Sequence, residues 1–320
     1  MSIKNLFDSR YALANKKRAK EIAISVFRLL FCICICYLFL YPILYMIITS
    51  FQSPSSIEDP TVIWIPKSLS LEGLKGAIKE MNYWKSAGLT LTITLGSTLA
   101  ALCSCALAGY GLARFNFPGK MIVFVLLILT IVIPPQVLYS STYILYRFFD
   151  FGGLLSIFGA SINLLESPMV FILPSMFANG LRNGIFIFIF YSSFKGLPVE
   201  IEEAAKIDGC GVFKTFLRVM VPMAVPAFIT VLLFSIVWHW TDYNSSATYF
   251  TQDLKPLVVM LKKLSTALYM GGYRDASGSV FSLRMYLQAG AMLTIAPPLI
   301  LYIFTQKYFT ESIERTGLVG

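Results

Sequence analysis

Apolar residues run almost unbroken through six stretches of this chain, each long enough to cross a bilayer core of ~30 Å as a helix. The first is Ile22 to about Ser50, interrupted only by Arg28 and containing Pro42, where a kink is expected. The second, Ser86 to Tyr110, is rich in Thr, Ser, Gly and Ala, as closely packed membrane helices are. The third, Met121 to about Tyr146, holds Pro134-Pro135, and the sixth, Leu283 to Phe304, holds Pro297-Pro298. The fourth, Pro168 to Phe194, is broken by Asn179-Gly180-Leu181-Arg182-Asn183-Gly184, and the fifth runs from about Val221 to Tyr243. The pattern predicts an all-α polytopic membrane protein with six transmembrane helices. Paired prolines free backbone carbonyls, which is tolerated against protein or along a water-filled path. Pro134-Pro135 therefore marks either a packing kink or a substrate contact. Arg182 either belongs to a translocation path, as an intramembrane charge suggests, or sits at a break between two half-helices.

The polar segments between these stretches set the expected domain organisation. Residues 1–21 form a basic N-terminus, 22–306 the six-span domain and 307–320 a tail, with both ends in the cytoplasm. The first apolar run is too long for a signal-peptide core and no A-x-A site follows it, so it reads as a span. Phe51–Lys85, Arg147–Ser167 and Asn244–Ser282 are expected outside, with Trp64 and Trp84 as interfacial anchors. The basic turn Gly111–Lys120 and the basic segment around Lys195, Lys206, Lys214 and Arg218 are expected inside. Against that trend, the last outer segment carries Lys255, Lys262, Lys263 and Arg274.

Leu197–Pro226 is a charged helix, a glycine break and a second helix between two apolar spans. Glu200, Glu202, Glu203, Lys206 and Asp208 are too costly to place in hydrocarbon, so the stretch belongs in water or against a partner. Pro198 suits the first helical position, the glutamates suit the first turns, and Gly209 after Asp208 is a left-handed stop, with Gly211 as a second bend. Ala204 and Ala205 form a small patch that another surface could approach closely. Phe213, Phe216 and Val219 give the next helix an apolar face. The stretch is either a helix shaped to dock into a cleft or a solvated amphipathic loop helix.

Composition narrows the function classes. A hydrophobic fraction of 57% and a charged fraction of 13% exclude a soluble domain. The net charge of +9 is accounted for by topology, and no extramembrane basic domain is large enough to bind nucleic acid. Of the six cysteines, Cys32, Cys34, Cys36, Cys103 and Cys105 lie in apolar runs and Cys210 in the charged loop, so no disulfide framework is implied. No G-x-x-x-x-G-K-[ST] loop occurs; Gly209–Thr215 is a decoy with no preceding strand. His239 is the sole histidine and has no converging metal ligands nearby. The chain is therefore expected to be no enzyme, with no metal and no cofactor. Trp238, Trp240 and Tyr243 could stack on a sugar ring or form an interfacial belt, and Asp242 could bind a hydroxyl-rich substrate or sit among headgroups.

Glu203-Ala204-Ala205, then Asp208-Gly209, then Phe213, Phe216 and Pro222 resemble the EAA loop of ATP-binding-cassette (ABC) importer permeases. Ala113-Arg114-Phe115-Asn116-Phe117-Pro118-Gly119-Lys120 and the run Gln306–Gly320 are similar to the maltose-type second permease subunit of the carbohydrate branch. The tail departs from that pattern at Ser312 and Val319, which removes a terminal Lys contact, while Ile313, Gly317 and Gly320 agree. The resemblance implies a type I ABC importer permease fold, with residues 197–220 as the cytoplasmic coupling helix and its loop. It implies that Glu203, Ala204, Ala205, Asp208, Gly209, Phe213 and Phe216 couple the chain to ATPases. The implied partners are a second permease in a heterodimer, two cytoplasmic ATPase subunits, an extracytoplasmic solute-binding protein, membrane lipid and a carbohydrate substrate, in a bacterial inner membrane. Arg182, Trp240, Asp242 and Tyr243 are the candidates for a substrate path. A secondary transporter or channel, a membrane scaffold, and an ABC importer for another solute class are the competing readings.

Overall fold

The computed structural model describes the backbone of residues 3–57, 66–153, 157, 161–269 and 280–317, and their side chains except for 3–19, 268–269, 280–283 and 307–317. In chain order the helices are α1 (Ile3–Ser50), α2 (Pro54–Ile57), α3 (Glu72–Glu80), α4 (Tyr83–Arg114), α5 (Lys120–Val132) and, after a 3-10 turn at Pro135–Leu138, α6 (Tyr139–Arg147). Then come α7 (Met169–Met176), α8 (Asn183–Gly196), α9 (Val199–Ile207) and α10 (Val212–Thr215). A π-helical turn at Phe216–Met220 leads into α11 (Val221–Met223), α12 (Val225–Thr241), α13 (Tyr243–Tyr249), α14 (Leu257–Tyr269) and α15 (Val280–Gly317). Among the described residues there are no strands beyond two isolated bridges, Gln52–Leu69 and Phe149–Ile162.

Among the described residues, three helical segments are long and apolar enough to cross a membrane by themselves: 20–50, 83–114 and 284–306. Three more qualify only as bent pairs: 120–132 with 135–147, 183–196 with 199–207, and 212–223 with 225–241. The first of these bends by 96°, because Pro134-Pro135 ends α5 and starts α6 nearly at right angles; the break is a turn of the chain rather than a packing kink. The expected kink at Pro42 does not end α1, which runs through it as one helix, and α15 likewise runs through Pro297-Pro298.

Helix α4 is the mast of the fold, and α8, α7, α12, α14 and α3 pack along it. Although it also buries Tyr83, Ile93, Tyr110 and Leu112, most of its buried positions are small or polar, with Ser86, Thr90, Thr94, Thr98, Ala101, Cys105 and Gly109 recurring every three or four residues, so neighbouring backbones approach closely. A Cβ on Gly109 would lie 2.6 Å from Phe190 Cβ and 2.9 Å from Tyr191 N, so α4 and α8 cross at a point only glycine fits. Hydrogen bonds tie the same face: Ser104 Oγ donates to Ser175 O (2.6 Å), Thr98 and Ser235 hydroxyls pair (2.9 Å), and Leu257 N donates to Thr90 Oγ1 (2.9 Å). By contrast, the apolar side chains of α1 from Ile22 to Leu44 are nearly all exposed, as befits a helix facing lipid.

In the segment 244–282, expected as an outer loop, the described stretch 244–269 is largely helical: α13 and α14 pack on the bundle and bury Tyr249, Phe250, Leu257, Met260 and Leu264. Trp84 is exposed, whereas Trp64 and Arg274 lie outside the described residues.

Candidate functional site

Helix α9 begins at Val199, so Pro198 is its cap rather than its first residue, with Glu200 and Glu202 in the first turn. Its C-terminus closes as a full Schellman motif: Gly209 N–H donates to Lys206 O (3.0 Å) and Cys210 N–H to Ala205 O (3.0 Å). Gly209 sits at φ +76, the left-handed conformation expected of it. Gly211, expected as a second bend, is extended (φ −66, ψ 162) and caps α10.

The helix has two faces. Outward stand Glu200, Glu203, Ala204, Ile207 and Asp208, then Gly209, Val212 and Phe213 beyond the turn. Ile207 is 86% exposed and Phe213 65% exposed, two large apolar side chains open to a partner. Inward point Glu202 and Ala205, three residues apart on one face. Phe216 also points inward, packed 5.0 Å from the Tyr110 ring and 6.0 Å from that of Phe194. Of the seven residues expected to meet an ATPase, Glu203, Ala204, Asp208, Gly209 and Phe213 are available to a partner, while Ala205 and Phe216 belong to the bundle's own packing. The alanine patch is therefore split, with only Ala204 open to close approach.

Glu202 was expected in water or against a partner, but it is 3% exposed. Its carboxylate is balanced within the chain. Arg114 Nε lies 3.2 Å from Oε2, Lys206 Nζ lies 3.1 Å from Oε1, and Tyr110 Oη donates to Oε1 at 3.1 Å. Arg114 also donates from Nη2 to Leu197 O at 2.7 Å. One guanidinium, on the last residue of α4, thus reaches both α9 and the residue that closes α8. The sequence signals for this cluster were the lone arginine at the end of the second apolar run and the three-residue step from Glu202 to Ala205.

Of the four substrate-path candidates, Arg182 and Asp242 lie near enough for their charges to act on one another, while Trp240 and Tyr243 are engaged elsewhere. Arg182 sits in the left-handed region (φ +57) at the N-cap of α8, at the break between α7 and α8. Its guanidinium lies 4.6 Å from the ring centroid of Trp238, which is itself stacked between Phe186 and Phe234. Trp240 is neither a stacking platform nor an interfacial anchor: it is 4% exposed and donates its indole N–H to Thr294 O (2.9 Å). Asp242 caps α13, accepting from Ser245 N at 3.4 Å. Tyr243 lies apart, in the wall of a recess of about 450 Å³ with Lys255, Val259, Lys262 and Lys263. His239 is buried, with Nδ1 2.8 Å from Ser235 O.

Arg182 lines a larger cavity of about 860 Å³ between α5, α6, α7 and α8. Pro134 and Pro135 form part of its wall, and Asn179, Tyr139, Thr142, Ser245 and Tyr249 add polar groups. Thr142 and Tyr249 share a 2.7 Å hydrogen bond; burial pushes the Tyr249 phenol above its usual value, and that hydrogen bond opposes the shift.

A family described as "Binding-protein-dependent transport system inner membrane component" matches residues 105–311. The polygalacturonan/rhamnogalacturonan transport system permease protein YtcP of Bacillus subtilis is 27% identical over 311 residues, covering 95% of this chain and all of the relative. The arabinooligosaccharides transport system permease protein AraQ of Halalkalibacterium halodurans is 26% identical, covering 89% of this chain and 93% of that one. Among solved structures, a chain of a bacterial ABC transporter that imports the acidic polysaccharide alginate superposes with a TM-score of 0.71 at 19% identity. It covers 91% of this chain and 97% of its own.

Proposed function

The chain belongs to the family of binding-protein-dependent transport system inner membrane components, and from that premise we propose that it is the permease subunit of an ABC importer for oligosaccharides. It forms a translocation pathway with a second permease in a heterodimer. Two cytoplasmic ATPase subunits supply the energy, and an extracytoplasmic solute-binding protein delivers the substrate. The membrane is the bacterial inner membrane, with both termini, residues 111–120 and α9 on the cytoplasmic side. Relatives named for polygalacturonan, rhamnogalacturonan and arabinooligosaccharides support the substrate class.

The observation that carries the coupling role is the outward face of α9. A helix with an intact C-terminal stop leaves Ile207 and, beyond the turn, Phe213 exposed along with Glu203 and Asp208. Large apolar side chains ringed by charge are what a partner's cleft requires. Glu203, Ala204, Asp208, Gly209 and Phe213 on this face make the ATPase contact. Among the described residues, the outer recess bearing Lys255, Lys262 and Lys263 has no carboxylate in its lining, which suits an acidic surface on the solute-binding protein. Among the described residues, Arg182 is the one charged group in the wall of the large cavity, and it is the residue assigned to the substrate path.

The test is uptake of labelled trigalacturonate and arabinotriose into proteoliposomes holding the full complex, with wild type beside Gly209→Pro. Proline cannot adopt the positive φ or donate the Gly209 N–H, so the α9 stop is lost. ATP-dependent uptake by wild type and its loss in the variant are expected. Uptake driven by an ion gradient without ATP would transfer the assignment to a secondary transporter.

A further inference from the structure

The buried cluster at the root of α9 has a role that the outward face does not describe. Helix α9 is joined to its neighbours through an extended residue, Leu197, and through a glycine turn at 209. Both joints leave a nine-residue helix free to pivot unless side chains hold it. The holding contacts converge on Glu202: Arg114 and Tyr110 from successive turns of α4, and Lys206 from α9 itself. Arg114 closes the arrangement by holding Leu197 O, so one planar fork spans the joint and the helix beyond it.

We propose that the Arg114–Glu202 pair is a rigid tie that makes α9 and α4 move as one body, so that Arg114 and Glu202 are positioning residues for coupling ATP hydrolysis to transport. This rests on the assignment of α9 to the ATPase contact. Burial of an ion pair adds little net stability compared with apolar residues of similar size, so a merely structural role would be filled equally well without charge. What the pair supplies is geometry. A displacement delivered to Ile207 and Phe213 is not absorbed at Leu197 or Gly209. It passes to the end of α4, the helix against which α8, α7 and α12 pack. Tyr110 extends the grip one turn up α4, and its ring packs on Phe194 and Phe216, which draws α8 and the π-helical turn into the same body.

The test measures a distance within the assembled transporter. Spin labels are placed at Glu200→Cys on α9 and Leu99→Cys on α4, both exposed, after alanine replaces the six native cysteines. Pulsed dipolar spectroscopy compares the nucleotide-free complex with the complex trapped by ATP and vanadate. With the tie intact, the distance between the labels is expected to stay the same in both states. In Arg114→Leu/Glu202→Leu, which keeps the site packed but uncharged, trapping is expected to shift the distance by about 2 Å or to broaden its distribution. Glu202→Gln supplies the same comparison if the double variant does not accumulate. A distance that ignores trapping in the variants as it does in wild type overturns the tie. So does one that changes in wild type. Failure of an ATPase subunit to copurify with the wild-type chain overturns instead the assignment of α9 on which the tie rests.

Discussion

Two glutamates hold two parts of this molecule, and they do so by opposite means. Glu202, at the root of α9, is buried and surrounded by Arg114, Lys206 and the Tyr110 hydroxyl. Glu166, beside α13, is half-exposed and among the described residues accepts from neutral donors: Thr251 N (2.7 Å), Thr251 Oγ1 (2.7 Å) and Gln252 N (3.2 Å). Water screens the second and leaves it able to do its work with backbone amides. The first has lost its water and survives only because cations replace it. Both tie a chain segment to the bundle, yet only the buried one fails badly if a partner is removed.

The sharpest test of that contrast is Glu202→Ala. It leaves Arg114 buried without its carboxylate and is expected to destabilise the chain by about 3–5 kcal/mol, read as a lowered unfolding temperature in detergent. Glu166→Ala removes three hydrogen bonds from a site that water can re-enter, and a loss of about 1–2 kcal/mol is expected by the same measurement. Equal losses at the two sites would dissolve the distinction. Smallest in stability is Ile207→Ser on the outer face of α9, expected to change it by less than about 0.5 kcal/mol. The same substitution is expected to reduce copurification of the ATPase subunit, which separates a docking face from a structural one; unchanged copurification would remove Ile207 from that contact.

Much of the candidate site was legible before any coordinates. The left-handed stop at Gly209 follows from Asp208-Gly209 at the end of a charged helix, and the structure closes it with both expected hydrogen bonds. Glu203, Asp208 and Phe213 are exposed, as a contact with a partner would require. The sorting of neighbours was not legible. Ala205 and Phe216 share the loop with these residues but turn inward, because helical phase alone does not say which face meets the bundle. Trp240 fell for a related reason: an aromatic cluster at a span's end reads as an interfacial belt, but its indole N–H found the Thr294 carbonyl of another helix.

The sequence by itself determined the class of this protein: six apolar stretches, a charged helix–glycine–helix segment between two of them, and small or polar residues along the second. These follow from hydropathy, helix-stop chemistry and side-chain size, all properties of local sequence. Only the tertiary structure decided that Pro134-Pro135 turns the chain by 96°, that 244–269 folds into helices against the bundle, and that Arg114 meets Glu202. Arg114 and Glu202 are separated by four helices, α5 to α8, and each alone looks like a surface charge. Their pairing depends on α4 and α8 crossing closely enough at Gly109 to bring the end of one helix to the root of the next, and no local pattern carries that information.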